Sequence, residues 1–278
     1  MKRCAMILVL GMTLWCAGLQ AAYEGTDAAA DRVMAAAGAH RLIVIGEMHG
    51  TREIPALVSE LARRYARQGP LRVALEVSRD EQADLNAYLN SSGGRARRTA
   101  LSRRPYWNVD LASSDGLRTE DALDLIESLR QLRAQGRDVA VVAFDLATQA
   151  RPQTDARDGK TRARDRDRSM AQYLRAAHAD LPRGRILVLT GNVHAMLRAP
   201  NARFQAPMAG HLLDLAPYTV NVAAREGAFW ACQAGKACGP VPIKTTTDSG
   251  PLALDDTHHY LLVLPRFTPA RLVGAPLR

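Results

Sequence analysis

The chain has 278 residues, 47% of them hydrophobic and 23% charged, and a formal net charge of +9 at pH 7. That length suffices for one sizeable α/β domain with a full hydrophobic core. The positive charge is almost all arginine, and its densest stretch, residues 151–168, interleaves arginine with aspartate and holds no aromatic residue. Stacking platforms for nucleic-acid bases place aromatic side chains among the basic ones. The stretch is therefore typical of a solvated face, and we expect no nucleic-acid partner.

The first 22 residues have the pattern of a signal peptide. Lys2 and Arg3 precede an apolar stretch, residues 5–17, that is too short to span a bilayer. Loss of these two basic residues on cleavage lowers the formal charge from +9 to +7 and leaves residues 23–278 as the mature chain. The sequence thus predicts a periplasmic or secreted protein with no transmembrane segment after cleavage.

Cleavage fits after Ala21 or Ala22, where small residues follow the apolar stretch. Two alternatives stay open. Cys16 could carry a lipid anchor, although the bulky Trp15 before it disfavours that reading. An uncleaved N-terminal anchor would have only the short apolar stretch to insert.

Two cysteines remain in the predicted mature chain, Cys232 and Cys238. Closely spaced cysteines in an oxidising compartment are expected to form a disulfide. A metal-binding pair is the alternative. The metal-binding alternative is disfavoured because no other cysteine remains after cleavage to complete a thiolate site. In addition, neither cysteine has a histidine beside it.

Predicted strands and helices alternate along most of the chain. Short apolar runs indicate buried strands, and apolar stripes of period 3.6 indicate helices. The predicted strands are 42–45, 71–75, 139–144 and 186–189. The predicted helices begin at Thr51 and Thr119 and end at Gly69 and Gly136, with two more around 80–89 and at 169–181. We expect an α/β fold whose mostly parallel sheet is flanked by helices.

Two regions depart from this alternation. Residues 90–118 form a long irregular insertion, and such segments in a compact domain are usually functional or disordered. The aromatic pair of this insertion, Tyr106 and Trp107, has two possible roles. It forms a lid or a pocket wall, or it only attaches the insertion to the core. Beyond Pro200 the strands lack long helices between them and should extend or cap the sheet as hairpins. These strands are 212–215, 218–223, 228–232 and 260–264. No repeat or linker calls for a second domain.

Polar residues of catalytic type follow the predicted parallel strands. Two of the strand ends share a pattern in which a glycine breaks the apolar run and a histidine follows: Gly46-Glu47-Met48-His49-Gly50 and Gly191-Asn192-Val193-His194-Ala195. Two more strands end in Glu76 and Asp145. Parallel strands gather such residues at one edge of the sheet, where ligands bind. Carboxylates and imidazoles together can take a proton from water or hold a metal.

Arg166 is a further candidate. It lies four residues before Met170, so the two share a face if both are helical. In the crevice, Arg166 could hold a substrate carboxylate or a developing oxyanion. The alternative is a surface ion pair with Asp165 or Asp167.

The remaining histidines have no comparable setting, and we interpret them as structural or surface residues. They are His40, His178, His211, His258 and His259. The chain has no Gly-x-Ser-x-Gly elbow, no P-loop, no His-Glu-x-x-His helix and no dinucleotide fingerprint. Serine-triad, nucleotide-hydrolysing and hydride-transfer enzymes are therefore disfavoured.

The motifs resemble those of the ChaN/Tiki/erythromycin-esterase superfamily over residues 40 to 200. The resemblance rests on Leu42-Ile-Val-Ile-Gly-Glu-Met-His49, Glu76, Arg166-Asp-Arg-Ser-Met170-Ala171 and Gly191-Asn-Val-His194-Ala195. Residues 201–278 are not covered. The resemblance implies that the site consists of Glu47, His49, Glu76, Arg166 and His194.

The branches of this superfamily differ in function. ChaN-like proteins are exported haem-binding proteins linked to iron uptake, erythromycin esterases hydrolyse a macrolide ester with a histidine base, and Tiki-type members are metal-dependent proteases. The motif spacing is most similar to that of ChaN. Counterparts of the ChaN haem-binding residues are not apparent in this sequence.

Two functions therefore stay open. One is a hydrolase of ester or peptide bonds, with His49 or His194 as base and a divalent metal that His49, Glu76 and His194 could hold. The other is haem binding in the same crevice without turnover. The chemistry favours the first, because a haem pocket is apolar with an axial ligand and this crevice is rich in ionisable groups. Either way the expected partner is a small-molecule or peptide ligand; the oligomeric state is not predicted.

Overall fold

The computed structural model describes residues 14–147, 159–201, 206–233, 235–254 and 256–274, with side chains except those of 14–24, 113 and 159–165. Most of the predicted signal peptide therefore lies outside the described residues. So do residues 148–158, which include the first part of the charged stretch. No helix among the described residues is long and apolar enough to cross a membrane.

Helices and strands alternate as expected through residue 191. The elements in chain order are α1 (Leu14–Ala37), β1 (Leu42–Glu47), α2 (Glu53–Gln68), β2 (Leu71–Ser78), α3 (Gln82–Leu89), α4 (Arg95–Ser102), α5 (Glu120–Ala134), β3 (Val139–Asp145), α6 (Gly159–Ala179), β4 (Arg185–Gly191), β5 (Tyr218–Ala231), β6 (Gly239–Pro242), β7 (Gly250–Pro251) and β8 (Tyr260–Phe267). Short 3-10 turns occur at 79–81, 111–113 and 209–215.

The strands form one eight-stranded sheet in the order β3-β2-β4-β1-β5-β8-β7, with β6 paired to β5. All neighbours from β3 to β8 are parallel, whereas β6 and β7 are antiparallel to their partners. The predicted fold class, an α/β fold with a mostly parallel sheet between helices, is confirmed.

Both faces of the sheet are covered, which explains why its central strands are apolar throughout. Alternate residues of β1 point to opposite faces. Ile43 and Ile45 pack into the core beneath α1, α2, α3 and α5, and Leu42 and Val44 pack into the core beneath α6. In β1 the only polar side chain, Glu47, lies where the strand ends.

Two predictions beyond Pro200 differ from the structure, and one is confirmed. Residues 212–215 belong to a 3-10 turn, 209–215, rather than a strand. The two strands predicted at 218–223 and 228–232 are one continuous strand, β5. The expected hairpin strands are present as β6 and β7, which pair antiparallel with β5 and β8, while β5 and β8 themselves run parallel to β1 and widen the parallel sheet.

Two further segments differ in detail from their predictions. The insertion, residues 90–118, contains the helix α4 and a 3-10 turn at 111–113. Helix α6 begins at Gly159, ten residues before its predicted start at Ser169 (169 − 159), and therefore includes Arg166. That extension places Arg166 on the same helix as Met170.

Candidate active site

The two glycine–histidine turns lie side by side because β1 and β4 are neighbours. Glu47 is in register with Gly191, and the backbone N–H of Asn192 donates to the carbonyl of Glu47 at 2.9 Å. Gly46 makes this approach feasible. A Cβ there would lie 2.9 Å from Ala195 Cβ and 3.1 Å from Asn192 Cα. A larger residue at position 46 would push the two turns apart.

His49 is held by the carboxylate two residues before it. Its Nδ1 lies 3.0 Å from Glu47 Oε1, and its Nε2 has no hydrogen-bond partner among the described residues. The side chain of His49 is 26% exposed. Burial lowers the pKa of His49, but the hydrogen bond and charge of Glu47, with further negative charge from Glu76 and Asp115, raise it to about 9. At neutral pH the free protein therefore carries an imidazolium at this position.

His194 forms a second carboxylate–histidine pair. Its Nδ1 lies 2.6 Å from Asp167 Oδ1, which also accepts the backbone N–H of Met208 at 2.8 Å. Its Nε2 lies 3.0 Å from Arg166 Nη1. A guanidinium only donates, so this contact requires a neutral ring with its proton on Nδ1.

The protonation of His194 decides whether that contact exists. Burial lowers its pKa and so does the charge of Arg166, but Asp167 and Glu76 outweigh them and the pKa is raised. A proton on Nε2 would face the N–H of Arg166 and break the contact. The Arg166–His194 contact is thus restricted to the neutral ring.

Arg166 ties the buried acids of the site together. Its Nε and Nη2 donate to the two oxygens of Asp145 at 2.8 and 3.1 Å, and Nη2 also donates to Glu76 Oε1 at 2.5 Å. The side chains of Glu76 and Asp145 are only 2% and 3% exposed. Arg166 therefore pairs with crevice acids, and Asp167, its predicted alternative partner, is buried and binds His194 instead; the side chain of Asp165, the other alternative, lies outside the described residues.

Glu76 lies at the centre of this network. Its second oxygen, Oε2, accepts from Thr190 Oγ1 at 2.7 Å and from the backbone N–H of Gly191 at 2.8 Å. Burial alone raises the pKa of Glu76, but the positive charges of His49, His194 and Arg166, with the Gly191 N–H, lower it to about 2. Glu76 is therefore an ionised anchor over the whole physiological pH range.

The residues that could have held a divalent metal do not fit one. No group of three or more His, Cys, Asp or Glu side chains within the described ranges is arranged to hold a metal ion. Both oxygens of Glu76 are engaged, and Arg166 supplies the positive charge between Glu76, Asp145 and His194. The guanidinium thus takes the position that a cation would need.

A small cavity lies beside Glu47 and Glu76, and His49, Arg166 and His194 do not line it. Its volume is about 30 Å³. It has room for about two water molecules. Thr51 Oγ1 and Trp107 Nε1, both buried and without a partner in the described part of the chain, belong to residues that line it. The cavity is therefore suited to water.

The aromatic pair of the insertion forms the wall of this cavity. Tyr106 and Trp107 both line it, and Tyr106 Oη donates to the carbonyl of Glu76 at 3.1 Å. Trp107 is 1% exposed and belongs to the main core. Both interpretations of the pair hold, because it lines the pocket and also pins the insertion to the core.

Three distant segments meet beside the His49 turn. The backbone N–H of Trp230, on β5, donates to the carbonyl of Gly50 at 2.8 Å, and its indole Nε1 donates to the carbonyl of Ser114 at 2.9 Å. Gly50 and Gly116 both have positive φ, and a Cβ on either would lie within 2.8 Å of Trp230 O. The predicted disulfide, Cys232–Cys238, follows directly on β5 and is present.

The sequence had no signal for three contacts of the site. Asp167 had been considered only as a surface partner of Arg166, and Thr190 and Met208 bind through contacts that no spacing reveals. His258, interpreted as a structural or surface residue, is buried, and its Nε2 lies 3.1 Å from the carbonyl of Asn192. The other predicted positions, Glu47, His49, Glu76, Asp145, Arg166 and His194, lie together.

Several solved structures share this architecture. A mutant of the erythromycin esterase EreC in its open conformation is 13% identical, with a TM-score of 0.64 over 88% of this chain and 95% of that one. A protein from Bacillus cereus is 11% identical, with a TM-score of 0.66 over 89% of this chain and 99% of that one. A succinoglycan biosynthesis protein is 10% identical, with a TM-score of 0.66 over 91% of this chain and 98% of that one.

No protein family's sequence profile matches the chain, and no curated protein does. The site is an arginine-centred cluster of acids with two carboxylate–histidine pairs, at the carboxyl edge of a parallel sheet. The chain shares its fold with the erythromycin esterase EreC, which belongs to one of the branches that the sequence motifs resemble.

Proposed function

We propose that this chain is an exported hydrolase that cleaves an ester bond with a water molecule activated by His49. One observation carries the proposal: the Nδ1 of His49 is held by Glu47, and its Nε2 has no partner among the described residues. A carboxylate that orients one imidazole nitrogen leaves the other available as a general base. The fold shared with an erythromycin esterase supports ester rather than peptide chemistry.

The base form of His49 takes a proton from water at Nε2 while the water oxygen bonds to the ester carbonyl carbon. The carbonyl electron pair moves to its oxygen. Collapse of this tetrahedral species restores the carbonyl and breaks the bond to the alcohol oxygen. That oxygen leaves with the proton from His49 Nε2, so the ring returns to its starting state.

Arg166 is suited to stabilise the negative charge that develops in this step. Its guanidinium is fixed by Glu76 and Asp145, so no reorganisation is needed when the charge appears. His194, held by Asp167, contacts the guanidinium from the other side. We assign to His194 and Asp167 the role of positioning Arg166.

Export is part of the proposal. The signal-like pattern of residues 1–22 supports it. The disulfide Cys232–Cys238 supports it independently, because disulfides persist in oxidising compartments. Expression with a reporter fused after residue 22, followed by fractionation and N-terminal sequencing, tests it. Retention of an unprocessed chain in the cytoplasm would overturn this part.

The activity is tested with a panel of p-nitrophenyl esters and chromogenic peptides. We expect ester hydrolysis by the wild-type protein and a loss of about 10²–10⁴-fold in His49→Ala. His178→Ala is the matched control, because His178 lies on α6 away from the crevice network. If the wild-type chain hydrolysed no ester, or if His49→Ala kept full activity, the proposal would be wrong.

A further inference from the structure

A second and larger cavity lies on the molecule, outside the site described above. It has a volume of about 610 Å³, within the range of small-molecule pockets. Its apolar lining comes from three separate segments of chain: Leu197, Leu213, and the pair Leu252 and Leu254. We call it the Leu213 groove.

The groove gathers apolar surface that the fold has left uncovered. Leu213 is 58% exposed and Leu254 is 95% exposed, and both line it. Only one other large hydrophobic residue within the described ranges, Val193, is exposed. Exposed apolar side chains that converge on one concavity mark a binding site rather than scattered surface residues.

The groove also has a flat aromatic side and a basic group. The rings of Tyr218 and His259, which both line it, are stacked with centroids 5.0 Å apart and an interplanar angle of 13°. Arg198 lines it too, and one of its nitrogens donates to the carbonyl of Leu254 at 2.7 Å. A guanidinium has five donors, so further donors remain for an anionic group. The carboxylate of Asp256 is engaged by the backbone N–H of Ala253.

One wall of the groove is hydrogen-bonded to a turn of the proposed active site. His258 lines the groove, and its Nε2 lies 3.1 Å from the carbonyl of Asn192. A carbonyl only accepts, so Nε2 carries the proton. The N–H of the same Asn192 donates to the carbonyl of Glu47. The Asn192 residue is therefore held between the groove on one side and the Glu47–His49 pair on the other.

We propose that the Leu213 groove is a second ligand site, for a small molecule that joins an apolar ring to a carboxylate, and that its occupant acts on the turn from Gly191 to His194 through His258. The ring packs on the leucines and the stacked Tyr218–His259 pair, and the carboxylate pairs with Arg198. The binding part stands apart from the proposed hydrolase activity, whereas the significance of the coupling for catalysis rests on it.

Binding is tested with 2-naphthoate as the probe ligand and the full mature chain, by calorimetry. We expect one saturable site. Leu213→Ser and Leu254→Ser should each weaken binding about tenfold, because each removes the burial of one leucine side chain. Arg198→Met should weaken binding of naphthoate about tenfold and leave binding of the neutral 2-naphthamide unchanged.

Matched controls exist for both kinds of change. Leu111→Ser removes a partly exposed leucine of the insertion that does not line the groove, and Arg137→Met removes an exposed arginine elsewhere. Both should bind naphthoate as the wild type does. Absence of saturable binding, or equal weakening in the controls, overturns the proposal. So does a wild-type dimer that Leu213→Ser converts to a monomer, since a second copy would then occupy the groove.

Coupling is tested by histidine side-chain NMR, which needs no turnover. Naphthoate should shift the ring signals of His258 and His194 in the wild type. Naphthoate should still bind to His258→Phe but should no longer shift the ring signals of His194. His258→Gln, which keeps an N–H donor, should restore part of that shift. A shift of His194 that persists unchanged in His258→Phe overturns the coupling. A chain that binds naphthoate but hydrolyses no ester refutes only the proposed function.

Discussion

Gly191 and His49 are so close that a Cβ on Gly191 would lie 3.0 Å from His49 Nε2, and 3.5 Å from His194 Cδ2. We predict that Gly191→Ala displaces the His49 ring while the chain still folds, because the methyl group meets the end of a side chain. Small displacements of catalytic groups cost about 10²-fold in rate. Ester hydrolysis should fall by that order, with an unchanged circular dichroism spectrum.

Gly239 provides the control. It lies at the start of β6, and nothing is within 4 Å of a Cβ placed there. Gly239→Ala should keep wild-type activity. Equal activity in Gly191→Ala would show that the Nε2 of His49 is not used.

The pH dependence of activity should follow the base form of His49. Its pKa is about 9, so the rate should rise tenfold per pH unit from neutral and level off near pH 9. In Glu47→Gln the carboxylate that raises this pKa is gone, so the plateau should begin at lower pH, with a lower plateau rate. The measurement is a pH–rate profile for each protein with one ester. A rising limb at the same pH in Glu47→Gln would contradict the assignment.

Stability should be greatest in a mildly acidic window. The pKa of Glu76 falls from its ordinary 4.5 to about 2 on folding, so its contribution of about 3 kcal/mol is present above pH 4.5 and lost as the pH falls through 2. The pKa of His49 rises from 6.5 to about 9, so its contribution is present below pH 6.5 and lost as the pH rises through 9. Urea unfolding of the wild type should give its highest free energy between about pH 4.5 and 6.5.

Two variants separate these contributions. His49→Ala should flatten the loss of stability above pH 6.5 and leave the acid side unchanged. Glu76→Gln should be less stable at pH 7 and lose less stability on acidification. If the free energy of unfolding of His49→Ala fell above pH 6.5 as much as that of the wild type, the decline would belong to another group.

Removal of Arg166 should destabilise the protein. Arg166→Met leaves Glu76 and Asp145 buried without their counter-charge, a change that costs about 3–5 kcal/mol. The free energy of unfolding in urea at pH 7 measures it. Arg168→Met is the control, since Arg168 is an exposed arginine on the same helix, and it should change that free energy by less than about 0.5 kcal/mol. Equal effects of the two substitutions would show that Arg166 does not anchor the acids.

The disulfide should stabilise the hairpin formed by β5 and β6. Cys232 and Cys238 enclose a short loop, and closing it contributes about 2–3 kcal/mol in the chain-entropy model. Dithiothreitol should lower the melting temperature of the wild type and leave that of the double variant Cys232→Ser, Cys238→Ser unchanged. If dithiothreitol lowered the melting temperature of the double variant equally, the effect would not come from this disulfide.

The strand ends of the site could be predicted because buried parallel strands are apolar throughout. A polar residue directly after such a run, as at Glu47 and Asp145, therefore marks its carboxyl end, whereas β2 continues two residues past Glu76. The neighbouring order of β1 and β4 then brings the glycine–histidine turns together. Composition and strand spacing thus sufficed for the fold class and for most of the cluster.

The contacts around that cluster could not be predicted, because they depend on how helices and loops dock. Asp167 is adjacent to Arg166 in sequence, yet the two side chains meet His194 at different nitrogens. His258 reaches Asn192 from a loop 66 residues later in the chain. Neither contact leaves a periodic pattern. The parallel direction of β5 could not be predicted either, because the sequence of the connection before it, residues 192–217, has no apolar stripe of helical period to indicate a crossover helix.

The meeting of Gly50, Gly116 and Trp230 gives the last third of the chain a share in the activity. None of the acids, histidines or the arginine assigned to hydrolysis lies beyond His194, yet the carbonyl of Gly50, next to His49, accepts the backbone N–H of Trp230 on β5. A protein truncated before Trp230 would keep every proposed catalytic group and lose that anchor. We therefore expect the proposed hydrolysis to need the final strands although they take no part in its chemistry, and a fragment that ends after residue 200 should have no activity.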